Sequence, residues 1–144
     1  MLRLILAVTV LASGGATLLA QTDPIAARKA LMKANGEQSK IATEMLDGKR
    51  PFNLDAAKKV FASFAEAGDK APALFPDDSK TGDTAALPTV WENKSDFNAR
   101  LARVASESKV AAEATKDFDS FKTQVTEVRK NCGECHKTYR KRTS

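Results

Sequence analysis

Residues 116–141 read KDFDSFKTQVTEVRKNCGECHKTYRK. Phe118, Phe121, Val125, Val128, Cys132, Cys135 and Tyr139 follow one another in alternating steps of three and four. That spacing returns to one face of an α-helix at every step. The stretch also holds both cysteines of the chain and its single histidine, His136. Cys132 and Cys135 occupy seam positions that phenylalanine and valine occupy earlier, so both thiols are expected to face a core. His136 comes four residues after Cys132, which on a helix is one turn further along the same side.

Three further helices are expected upstream. Asp23-Pro24 reads as an N-cap followed by proline in the first turn. From there Ile25, Leu31, Met32, Asn35, Ile41, Ala42 and Met45 recur at helical spacing, with Gly48 and Pro51 as the stop. A second helix starts near Asn53 on the stripe Leu54, Ala57, Val60, Phe61 and Phe64, and is expected to end near Gly68. From Lys70 to Asn93 the pattern dissolves into a loop with Pro72, Pro76, Gly82 and Pro88. A loop this long is uncommon in a compact domain, but it suits a crossover between two helix pairs. A third helix is expected from about Ser95 to Thr115, with Phe97, Leu101, Val104, Ser108, Ala111 and Thr115 on one face. No strand-like run competes. Four amphipathic helices in one small domain predict an all-α, antiparallel four-helix bundle, with a looser helical array as the alternative.

The first 20 residues, MLRLILAVTVLASGGATLLA, are set aside from the fold. Arg3, an apolar run from Leu4 to Leu11 and small residues up to Ala20 have the layout of a secretory signal peptide. A membrane anchor is the competing reading. A span needs about 20 mainly apolar residues, and Ser13-Gly14-Gly15 interrupts this one. Cleavage is expected after Ala20, with Ala16 as the alternative, leaving residues 21–144 as one exported, periplasmic domain without a membrane span. That domain has 22 Lys+Arg against 18 Asp+Glu. The excess is modest and interspersed, and calls for no nucleic-acid partner.

Export makes a disulfide the ordinary reading of two cysteines. Between Cys132 and Cys135 it would close a very short loop and gain little loop entropy. Cys-x-x-Cys-His is instead the attachment signature of c-type haem. The two thiols add to the two vinyl groups of the porphyrin, and the histidine takes the fifth position of the iron. A thioredoxin-like redox pair prefers a helix N-terminus, whereas this pair ends a long helix. A zinc site needs about four ligands, and the chain offers three. Two structural cysteines beside a chance histidine form the third alternative, and spacing does not decide against it. No acid–base pair or nucleophile suggests an enzyme.

A single haem motif, CGECHKTYRK, near the C-terminus of a four-helix bundle resembles the class II c-type cytochromes, the cytochrome c′ family. ARKALMKANG (27–36), GKRPFNLDAAKKVF (48–61) and PTVWENKSDF (88–97) support the resemblance. It implies one covalent haem c with its iron, held by Cys132, Cys135 and His136. It also implies redox partner proteins, and allows a homodimer through the first two helices. In one branch of the family the sixth iron position carries no protein ligand and binds small gases. In the low-spin branch a methionine of the first helix closes it, four residues after an arginine. Arg28 and Met32 hold those places here, and KALMKANG looks more like the low-spin branch. Antiparallel packing independently favours Met32 over Met45, because the first half of helix one faces the last half of helix four. Core filling is the plainer role for Met32. Arg28 is a candidate contact for a haem propionate, or else a solvated surface arginine. Lys137, Arg140, Lys141 and Arg142 complement the helix dipole or dock an acidic redox partner. The functional expectation is an exported mono-haem electron carrier with His/Met-ligated iron. A five-coordinate binder of nitric oxide or carbon monoxide, and a haem-free helical binding module, are the alternatives.

Overall fold

The computed structural model describes residues 23–142, and the expected signal peptide lies outside them. The chain forms α1 (Pro24–Leu46), α2 (Leu54–Lys70), a short α3 (Thr89–Glu92), α4 (Lys94–Ala114) and α5 (Phe118–Tyr139). The four long helices make the expected bundle. Local chemistry sets their ends. Asp23 Oδ1 accepts from Ile25 N at 2.9 Å, and Asn53 Oδ1 accepts from Ala56 N at 2.8 Å. Asp117 and Ser120 form a reciprocal capping box at the start of α5. Past the end of α1, Gly48 takes a φ of 70°, a left-handed conformation that glycine adopts without penalty.

α2 ends at Lys70, near Gly68 as expected. Gly68 itself is buried where α2 crosses α4, and a Cβ there would sit 2.6 Å from Leu101 O and 2.8 Å from Ala105 N. The glycine serves close helix packing rather than termination. Met32 and Phe118, both assigned to apolar stripes, are each 37% exposed. Phe118 sits at the bundle edge against Phe52, ring centroids 6.0 Å apart.

The buried core falls into two clusters. One joins Met45, Val60, Phe61, Phe64, Phe121, Val125 and Val128 near the α1–α2 turn. The other joins Val90, Phe97, Cys135 and Tyr139 at the opposite end, with Phe75, Trp91 and Leu101 packed on it. The loop from 71 to 93 is more ordered than its composition suggests. It contains two 3₁₀ turns, Ala71–Leu74 and Asp77–Ser79, and the helix α3. The Trp91 indole N–H donates to Phe75 O at 3.2 Å and Pro76 O at 3.0 Å. Residues 84–89 then zip onto the end of α5. Leu87 N donates to Tyr139 O at 3.0 Å, Lys141 N to Ala85 O at 2.8 Å, and Thr89 Oγ1 to Thr138 O at 3.0 Å. No helix among the described residues is long and apolar enough to cross a membrane.

Gly68→Ala tests the α2–α4 contact. The change should favour helix formation by about 0.5–1 kcal/mol, but the clash with α4 backbone should outweigh it. A net loss of about 1–3 kcal/mol is expected in urea unfolding.

Candidate functional site

Between the two core clusters lies a cavity of about 540 Å³, within the roughly 300–1,000 Å³ usual for ligand sites. Its apolar walls include Leu31, Phe64, Val90, Phe97 and Leu101. From α5 come Arg129, Cys132, Cys135, His136, Tyr139 and Arg140, and from α1 come Arg28, Lys29, Met32, Asn35, Gly36 and Ser39. The backbones of α1 and α5 approach each other at few points, and the cavity occupies the space between them. All five residues singled out in the sequence, Cys132, Cys135, His136, Met32 and Arg28, therefore line one space.

Cys135 is buried and Cys132 half-buried, and both are free thiols. Burial pushes both above the usual thiol range. That is the opposite of the depressed pKa of a redox dithiol. The His136 ring reaches solvent at the cavity edge. Burial, and then the charge of Arg140, hold its pKa below the ordinary histidine value. A neutral imidazole keeps a lone pair for a metal. Among the described residues no group of three His, Cys, Asp or Glu side chains converges on one point as a bare-ion site would. The donors are instead spread along the wall of a slot. At Gly36 a built Cβ would meet nothing within 4 Å, so this stretch of wall leaves open space. Asn35 Oδ1 and Arg129 Nε are buried without hydrogen-bond partners among the described residues. Spread donors, an open glycine wall and orphaned polar atoms fit a large, flat group.

Arg28 is not a solvated surface residue: it is 5% exposed. Its guanidinium donates to Leu74 O (3.1 Å), Ser79 Oγ (2.9 Å), Ser79 O (3.0 Å) and Thr84 Oγ1 (2.7 Å). It also lies over the rings of Phe75 and Trp91, 4.7 and 5.7 Å from their centroids. Burial lowers its pKa, and the charge of Asp23 partly offsets this. Arg28 thus ties the crossover loop to α1, and of its five N–H donors only that on Nε lacks a partner among the described residues. At the basic end of α5, Lys141 Nζ donates to Thr84 O at 3.1 Å and Lys137 pairs with Glu134 at 2.5 Å.

Sequence reasoning missed Arg129. It half-buries its side chain and donates through Nη2 to Ser39 O, to Ser39 Oγ (3.0 Å) and to Thr43 Oγ1 (2.9 Å) on α1. The available signal was its place one helical turn before Cys132. The link between the Tyr139 hydroxyl and Asp96 Oδ2, 2.5 Å, was also not foreseen.

An apolar slot between helices, with a haem-attachment motif on its wall, is what a c-type cytochrome asks of a bundle. The sequence profile of the family described as Cytochrome C′ matches residues 23–140, and the chain belongs to that family, the class II c-type cytochromes. Its cofactor is one covalent haem c. A cytochrome c′ of Rhodopseudomonas palustris is 44% identical over 136 residues, covering 94% of this chain and 92% of the relative. A cytochrome c-556 of the same organism is 27% identical over 145 residues, covering 97% of each. The solved cytochrome c′ from Rhodopseudomonas palustris superposes with a TM-score of 0.83 at 43% identity, over 86% of this chain and all of that one.

The Asp96 carboxyl is held below the usual carboxylate range, first by the Tyr139 hydroxyl and then by Arg100. A carboxylate depressed on folding adds stability above its unfolded pKa of about 3.9, and that stability disappears as pH falls through the folded value. Asp96→Asn should therefore flatten the fall in stability below about pH 4, read by chemical unfolding at a series of acidic pH values.

Proposed function

We propose that the protein is an exported mono-haem electron carrier with His136 and Met32 as axial ligands. Haem c supplies a one-electron ferric–ferrous couple. Cys132 and Cys135 hold it by thioether bonds, each S–H adding across one vinyl C=C. His136 would offer an imidazole from the same helix, its pKa lowered by burial. Met32 offers a thioether from α1, a soft ligand that raises the potential relative to harder ones. Arg28, already committed to the loop, would have its remaining Nε–H free for a propionate. Phe64, Phe97 and Leu101 exclude water from the cavity interior. Redox partner proteins, and a periplasmic setting reached through the signal peptide, belong to the same reading.

One observation carries it: Met32 on α1 and His136 on α5 line a single cavity together with both thiols. The cytochrome c-556 relative supports the methionine-ligated branch. The competing reading, a five-coordinate gas-binding haem, is favoured by the name of the 44% identical relative and by the partial exposure of Met32. Ferric absorption spectra of the wild type and Met32→Leu decide between them. The carrier reading predicts a low-spin wild type with a thioether-to-iron band, and a high-spin variant without it. A high-spin wild-type spectrum unchanged by Met32→Leu would establish the gas-binding reading instead.

A further inference from the structure

Few direct contacts hold α1 against α5, and the cavity separates them for two turns or more. On one side of the cavity, Arg28 ties α1 to the crossover loop, and the loop is zipped to the end of α5. On the other side, Arg129 reaches from α5 to Ser39 and Thr43 of α1. This clamp is half-buried, spans 90 residues of sequence and draws three acceptors onto one guanidinium nitrogen.

Its register matters more than its strength. Met32 precedes Ser39 by seven residues, and His136 follows Arg129 by seven. Seven residues are close to two helical turns, about 10.5 Å along the axis, and return a side chain to nearly the same face. The helices run antiparallel, so both displacements point the same way along the bundle. Met32 and His136 thus stand level with each other, about 10.5 Å from the clamp and on the two faces it joins.

We infer that Arg129 is a positioning residue: its clamp on Ser39 and Thr43 sets the separation of α1 from α5, and so decides how the sixth iron position is filled. The inference rests on the Met32 reading for one of its readouts and not for the other. Without the clamp, α1 is held near the cavity mainly by Arg28 and by α2. The α1 wall then drifts, the thioether is lost from the iron for part of the time, and space beside the iron changes.

The test uses the haem-loaded, exported protein as wild type, Arg129→Met, Arg129→Lys and the Ser39→Ala/Thr43→Val pair. Covalent haem by intact mass, and helix content by circular dichroism, identify the folded samples. The pair of α1 substitutions removes the clamp from the other side should Arg129→Met fail to fold. In the ferric spectrum, Arg129→Met and the α1 pair should turn a low-spin signal into a mixture with a weakened thioether-to-iron band. Arg129→Lys should recover part of it, since an ammonium keeps the charge and the donors but not the planar guanidinium or the full length of the side chain. Repeated in the Met32→Leu background, where no thioether competes, loss of the clamp should change the rate of carbon monoxide binding several-fold. Unchanged spin state and unchanged carbon monoxide rates in folded clamp variants overturn the inference. A wild type that is already high-spin sinks Met32 ligation alone, and the carbon monoxide rates then decide the clamp.

Discussion

The structure depends on keeping two neighbouring helices apart. Protein interiors pack to nearly crystalline density, and a void forfeits dispersion contacts along its whole lining. A bundle left to its apolar stripes would draw α1 onto α5. Here polar groups hold the slot: Arg28 anchors the crossover loop beside one end, and Arg129 spans the helices at the other. α2 and α4, by contrast, meet so closely that Gly68 has no room for a Cβ. One helix pair is sealed and another is propped open, and the cavity's place follows from that asymmetry.

The two core clusters divide the labour accordingly. Phe61, Phe64, Phe121 and their neighbours make a conventional packed end. Phe75, Phe97 and Tyr139 stack edge-on at the other, with centroids 4.8 and 5.1 Å apart, beside the cysteines. Electrostatics at the site favours attachment over redox exchange between the thiols. Burial raises the pKa of Cys132 and Cys135 and lowers that of His136.

Much of this was legible in the sequence for a physical reason: stripe positions and the motif are local. The steps from Phe118 to Tyr139 place both thiols on the face of α5 that Phe121, Val125 and Val128 bury. Asp23 and Asn53 mark helix starts because capping is a short-range bond. What stayed hidden depends on tertiary approach. The packing role of Gly68 shows only when α4 is laid across it. Arg28 looks like a surface cation until the loop folds around it, and Arg129 gains meaning only when Ser39 is opposite. The order of the 71–93 loop likewise comes from Arg28, Trp91 and the end of α5 rather than from its own composition.

The most direct test of the account is the mass of the proteolytic peptide that contains Cys132, Cys135 and His136, taken from protein made in cells able to attach haem. The account predicts a coloured peptide heavier than its amino acids by one haem, bonded through both sulfurs. A colourless peptide of unmodified mass, with two free thiols, would contradict it.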